Sequence, residues 1–202
     1  MRTLLALCLT GLALGLTACV GGRSPEARFF QLQPGQPSAT VPAIDPSIFI
    51  AVKTVNLESY LRQPRMAERI NPHEVRYHEF RRWAEPLDRN ITRVITENLR
   101  QLLKTELLAT TPPASETHPV LSLQIDVKRF ERQPDGRVLL SASWLIQPPK
   151  TSPASTKAGT ADLFSPVVSK DASDITSAQS VLLNELSTRI ASDLRTFTAA
   201  AP

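Results

Sequence analysis

Three consecutive pieces of the chain decide how it folds: VLSLQIDVKRF at residues 120–130, QPDG at 133–136 and RVLLSASWLIQ at 137–147. In the first, Leu121, Leu123, Ile125 and Val127 alternate with Ser122, Gln124 and Asp126. In the last, Val138, Leu140, Ala142, Trp144 and Ile146 repeat with the same period. A period of two marks a strand with one face in a core. Gln133-Pro134-Asp135-Gly136 between them is turn chemistry, so the two strands read as an antiparallel hairpin.

Outward from this hairpin the period changes. Residues 87–108 place Leu87, Ile91, Val94, Ile95, Leu99, Leu102 and Leu103 on one stripe, with Arg89, Arg93, Glu97, Arg100, Gln101 and Lys104 opposite. Pro86 at the first turn and Asp88 just inside it fit the start of a helix, and Pro112-Pro113 bounds its end. A second helix is expected over residues 174–197, built on Ile175, Ala178, Val181, Leu182, Leu186, Ile190, Leu194 and Phe197, with Ser173 as N-cap. Residues 47–57 read as a strand interrupted once, apolar on both faces and therefore expected between two helical layers. Shorter strands are expected at 29–32, 65–70, 74–77 and 157–168, the last at a sheet edge where Pro166 is tolerated. The sum is an α/β protein, a single α/β/α sandwich with a mixed sheet of four to five strands and two long helices.

Composition narrows the function. The 202 residues carry 23 Lys plus Arg against 19 Asp plus Glu, 42% hydrophobic residues and 2 Cys. That is one ordinary globular domain, neither disordered nor polytopic, and too poor in cysteine for a disulfide scaffold. No Gly-rich loop follows a strand, and no GxSxG elbow is present. The three histidines, His73, His78 and His118, have no zinc-ligand spacing, so neither a metal site nor a catalytic group is expected.

The two cysteines lie at the amino terminus. Arg2 precedes the uncharged apolar run of residues 4–16, which is signal-peptide anatomy and shorter than the roughly 20 residues of a membrane-spanning helix. Because the uncharged stretch continues to Gly22, an uncleaved anchor stays open as the alternative. Leu16-Thr17-Ala18-Cys19 is similar to the bacterial lipobox, which implies a signal peptide over 1–18, cleavage between Ala18 and Cys19, and an S-diacylglyceryl and N-acyl group on Cys19. Several acyl chains make a stable anchor where one is marginal. Cys8 leaves with the leader, the net charge falls from +4 to +3 as Arg2 goes, and no thiol remains free. Such slight basicity in an exported chain argues against nucleic acid. Residues 19–28, with Gly21, Gly22, Ser24 and Pro25, form a lipidated tether, and residues 29–198 form the domain. By the enterobacterial sorting rule, Val20 rather than Asp after the cysteine favours the outer membrane.

The run Arg81-Arg82-Trp83-Ala84-Glu85-Pro86-Leu87 stands out where the chain enters the first long helix. Two readings stand side by side: Trp83 packs over the helix start as a staple, or it is an exposed anchor for a partner. Arg76, Arg81 and Arg82 likewise either pair with Glu74, Glu79 and Glu85 or meet an acidic surface.

Residues 82–87, together with the lipobox, Phe29-Phe30-Gln31-Leu32, IAVKTVNL at 50–57, SYLRQPRMAER at 59–69 and the strand 138–144, resemble the ABC-type transport auxiliary lipoproteins, the PqiC-like group. Gln63 departs from the family's usual Arg-Pro, and residues 148–168 are unusually rich in Ser, Thr and Pro. The resemblance implies a fold like the TolB amino-terminal domain. It also implies a non-enzymatic envelope lipoprotein, cofactor-free apart from its lipid, that works with an MCE-domain periplasmic protein and an ABC-type permease and ATPase, with homo-oligomerisation left open. Tyr60, Leu61, Arg82, Trp83 and Glu85 are the expected partner-binding residues. The alternatives are a structural or assembly lipoprotein with a TolB-like domain and no part in lipid transport, and a periplasmic hydrolase.

Overall fold

The computed structural model describes residues 24–36, 44–111, 120–149 and 155–199. Ala18, Cys19 and the rest of the expected leader lie outside these residues, as does His118. The strands are β1 (Arg28–Phe30), β2 (Phe49–Val52), β3 (Asn56–Leu57), β4 (Arg65–Asn71), β5 (Glu74–Trp83), β6 (Leu108–Ala109), β7 (Val120–Arg132), β8 (Arg137–Gln147) and β9 (Lys157–Val167). The helices are α1 (Leu87–Leu103) and α2 (Ala172–Ala199), and a 3-10 turn spans Ser59–Arg62.

The hairpin forms as its pattern dictates. β7 and β8 pair antiparallel from Ser122 opposite Gln147 to Arg132 opposite Val138, and β9 continues the meander along β8. Gly136 closes the turn with φ 88°, a conformation that costs glycine nothing, while the Gln133 amide donates to the Arg137 carbonyl at 2.7 Å. On the other side of β7, the strands β2 and β3 pair parallel, and β6 pairs parallel with β2. β4 and β5 form a second hairpin, joined to β7 by one parallel bridge between Glu68 and Arg132, with β1 parallel along β5.

The sheet is therefore mixed, as expected, but has nine strands rather than four to five. Part of the excess is short: the expected strand at 47–57 forms as two, β2 and β3, and β6, with two residues, is too short to show a period in the sequence. The layering also differs from the expected sandwich. α1 and α2 pack directly on one another, and the buried Asn98 amide donates to Ser187 Oγ across their contact. Both helices bury their stripes, Ile91, Val94, Ile95 and Leu99 on α1 and Leu182, Leu186 and Ile190 on α2, in one core with Leu123, Ile125, Leu140 and Ile146 of the sheet. Helices in contact cannot lie on opposite faces of a sheet, so they form a single layer. The apolar run at residues 49–52 owes its burial to a central place between β6 and β7.

The helix termini follow local chemistry. α1 begins after Pro86 with Asp88 in its first turn, and ends at Lys104, whose left-handed backbone (φ 50°) turns its N–H back to the Arg100 carbonyl. That turn comes before residue 108 because Leu108 is taken by β6, opposite Ile50. At α2 the cap is Asp171 rather than Ser173: its Oδ1 accepts the Ser173 N–H at 2.8 Å, which holds its carboxyl below the usual carboxylate range.

Candidate functional site

The alternation of β7 breaks at a bulge between Val127 and Arg129. Before it the odd-numbered residues face the core; after it Phe130 does, opposite Leu140. Without the extra residue, Arg129 and Glu131 would have continued the inward series. The bulge instead sends Glu131 to the opposite side of the sheet, where it is 0% exposed beneath the 3-10 turn and β4.

Five donors converge on its carboxylate. Tyr60 Oη and the Phe130 N–H reach Oε2, each at 2.8 Å. Arg69 Nε, Arg129 Nε and Gln133 Nε2 reach Oε1, each at 3.2 Å. The Arg69 guanidinium also lies over the Tyr60 ring, 5.4 Å from its centre. A carboxylate offers about four lone-pair directions, so this one is saturated. Beside it, Glu68 takes Arg132 Nη1 and His78 Nε2, both at 3.1 Å. The Tyr60 hydroxyl is pushed well above its ordinary range by burial first and by the Glu131 charge second, so it stays a donor. Burial first, and then the Arg81 charge, holds the His78 imidazole below its ordinary value.

Of the expected partner-binding residues, Tyr60 belongs to this cluster and the others lie on two segments. Tyr60 and Leu61 sit on the 3-10 turn, and Arg82, Trp83 and Glu85 at the end of β5; the Trp83 N–H donates to the Pro64 carbonyl at 2.8 Å, which ties the two segments together. Only part of the group is available to a partner. Trp83 is 7% and Leu61 4% exposed, both in the main core, which corrects the expectation that they anchor a partner. Trp83 shares that core with Leu87, in keeping with a staple over the start of α1. Trp83 ends a strand that pairs on both sides, and its side chain shares the core with its β1 partner Phe30. Arg82 and Glu85 remain at the surface. Arg82 faces Glu79 at 3.9 Å, and Glu85 accepts from Gln31 at 3.0 Å and Arg93 at 3.2 Å. Of the other expected pairings, Glu74 bonds Asn71 instead, and Arg81 donates to the Lys170 carbonyl.

Neither histidine in the described residues belongs to a metal-binding group: among those residues no cluster of three or more His, Cys, Asp or Glu side chains forms. Two open grooves are present. One of about 730 Å³ runs between β1 and α2, lined by Phe29, Gln31, Ser173, Thr176 and Ser180. The other, about 680 Å³, lies over the polar side of α1 between Arg89, Arg93 and Arg100. The sequence pointed to Tyr60 but not to Glu131. The available signal was Lys128-Arg129-Phe130-Glu131-Arg132, a run of charge inside a strand whose period had been strict.

The described residues form a mixed α/β domain with a buried ionic cluster and two open grooves. Its sequence matches the ABC-type transport auxiliary lipoprotein component over residues 30–191, and the chain belongs to that family. The family is a transport component, not a known family of enzymes. Two crystal structures share the fold. One is of an uncharacterized protein, with 18% identity, TM-score 0.69, and coverage of 84% of this chain and 99% of the other. The second is protein XCC0632 from Xanthomonas campestris, of the DUF330 family, with 16% identity, TM-score 0.63, and coverage of 85% and 96%. No curated protein matches the sequence significantly. Among the described residues, no helix is long and apolar enough to cross a membrane.

Proposed function

We propose that this chain is the envelope lipoprotein of an ABC-type lipid-transport system, held in the outer membrane through acyl chains on Cys19, where its domain docks an MCE-domain periplasmic protein. The observation that carries the reading is the family match over residues 30–191 in a chain whose Leu16-Thr17-Ala18-Cys19 has lipobox form. Val20 after the cysteine supports the outer membrane. The role is one of binding and positioning. The tether of residues 20–28 extends at most about 30 Å, which keeps the domain near its membrane. Of the five residues named from the sequence, Tyr60, Arg82 and Glu85 remain as contacts for the partner, and Trp83 and Leu61 support them from the core.

The test is affinity isolation of the full-length chain from solubilised envelopes, with its membrane of origin read on a density gradient. Co-purification of an MCE-domain protein and a permease, from the outer-membrane fraction, is the expected result. Isolation without either partner would sink the transport assignment. Processing that continues unchanged with the lipoprotein signal peptidase blocked would remove the anchor at Cys19.

A further inference from the structure

Two of the surface residues left to a partner adjoin β1: Arg82 lies opposite Phe29 in the strand register, and Glu85 accepts from the Gln31 side chain at 3.0 Å. We propose that the open edge of β1 takes an extended segment of that partner as one further strand of the sheet. The inference deepens the docking role proposed above and rests on it.

The direction of the main-chain groups carries the argument. β1 ends the sheet on its side and pairs only with β5 among the described residues. The Ala84 N–H donates to the Phe30 carbonyl at 2.9 Å, one residue past the register pair of Phe30 and Trp83. In a parallel pair, a residue whose carbonyl is taken in this way also gives its N–H to the same neighbour, and the residues on either side turn theirs the opposite way. Phe29 therefore points both its N–H and its C=O off the edge of the sheet. No group among the described residues pairs with either. A sheet edge with unpaired donors and acceptors is a template for another strand.

The space beside that edge suits an extended chain. The groove of about 730 Å³ runs along it, walled by α2 from Ser173 to Ser180. That stretch of helix covers roughly 10 Å, which is also about the length of three extended residues. Farther along, the Gln33 N–H donates to Ser180 Oγ at 3.2 Å, so α2 itself closes the edge there. A strand laid in the slot sets its side chains alternately on the two faces. On the outer face, one falls beside Phe29, which is 63% exposed, and an apolar residue there completes a cross-strand pair. On the inner face, its neighbours are the hydroxyls of α2 and Arg28, the one charged side chain among the described residues that line the groove. The occupant is thus an extended segment with an apolar residue outward, small residues toward α2 and a carboxylate near Arg28. Arg28 already holds Asp171 at 3.4 Å, so that carboxylate adds selectivity more than strength.

The test is selection of short phage-displayed peptides against the full chain solubilised from envelopes, followed by amide hydrogen exchange, read by NMR, with the most enriched peptide synthesised. The peptide should slow exchange of the Phe29 amide, which has no partner in the free chain, and leave the Phe30 amide, bonded to β5 throughout, as the reference. Phe29→Pro deletes the outward N–H and keeps the bonds to β5, since proline is tolerated where an edge strand faces solvent. Phe29→Val keeps the N–H and loses the ring. The proline variant should bind the peptide about ten-fold more weakly than the valine variant. Ser177→Trp, at an exposed position on the α2 wall, should block the slot and keeps the test sound if proline disturbs β1. Equal binding by the two Phe29 variants, an unaltered Phe29 amide, or no peptide enriched against the parent over Ser177→Trp overturns the added strand. Slowing of the Phe29 amide with rising concentration of the free chain gives the edge to a second copy and overturns it too. Co-purification of the partner with Phe29→Pro as well as with the parent overturns the slot and leaves the docking role standing. A chain that takes the peptide at Phe29 yet is isolated without any partner overturns the docking role instead.

Discussion

The phenolic oxygen of Tyr60 donates a 2.8 Å hydrogen bond to Oε2 of Glu131, across 71 residues of sequence, and closes the 3-10 turn onto the bulged end of β7. Glu131 is the fully buried member, and Arg69 and Arg129 supply its compensating charge. Removing one partner from a buried ionic group is far more costly than its net contribution suggests, because the remaining charge stays desolvated. Glu131→Gln should therefore lower unfolding stability by about 3 kcal/mol in urea titration. Tyr60→Phe removes one charge-assisted bond and should cost about 1.5 kcal/mol. Because both changes break the same bond, the double variant should fall short of additivity by at least about 0.5 kcal/mol. A Glu131→Gln variant as stable as the parent would show that the cluster holds nothing together.

Trp83 gives the second prediction. Its indole is buried in the main core, and truncation to alanine leaves a cavity the core cannot fill, at a cost of about 3 to 5 kcal/mol. Trp83→Ala should thus lower Tm sharply, and any loss of partner binding should follow the unfolded fraction. Arg82→Ala should leave Tm nearly unchanged, because its pairing with Glu79 at 3.9 Å is a surface contact. An equally stable Trp83→Ala protein would return Trp83 to the surface.

What was legible in the sequence follows a simple division. Hydrophobic period specified β7, β8 and β9 to within two residues and the existence of both helices, because each is long enough for a repeat to stand out and each buries one face. The helix ending at Leu103 instead of near residue 108 reflects a tertiary competitor: β2 claims Leu108 as a strand partner. The ionic cluster was out of reach because its members, Tyr60, Arg69, Arg129 and Glu131, are scattered over three elements and meet only after the bulge reverses the faces of β7. For Trp83 the sequence left two readings open. A tryptophan among arginines and glutamates looks like surface, yet in β5 alternate residues face opposite sides, and charge at 81 and 82 says little about 83.

His78 makes the stability depend on pH. Burial and the Arg81 charge lower its folded pKa from the ordinary 6.5, while Glu68 opposes them and Arg76 adds to them. The unfolded chain then binds the proton more readily than the folded one, so this contribution is complete above pH 6.5 and is lost as pH falls through and below that value. Urea midpoints measured from neutral pH downward should decline with this slope, and His78→Gln, which can still donate to Glu68, should flatten it. A parent slope of the same size in His78→Gln would assign the effect to other groups.

Gly159 offers a prediction in which the sign alone decides. It pairs with Trp144 across β8 and β9, and the indole lies over it: a Cβ there would collide with Cε2 and Cζ2 of the ring. The ring is fixed in place, since Trp144 Nε1 donates to Asp193 Oδ2 at 3.0 Å and Lys157 Nζ pairs with Asp193 Oδ1 at 2.9 Å. In an open strand, Gly→Ala would stabilise by about 0.4 to 1 kcal/mol, because alanine loses less freedom on folding. Here the added methyl must displace the indole and its bond to α2, so Gly159→Ala should instead destabilise by about 1 to 3 kcal/mol. The pair Gly159→Ala with Trp144→Leu should show much of the first penalty removed, as the smaller side chain leaves the methyl its space. A gain in Tm for Gly159→Ala alone would mean that the indole does not cover the strand.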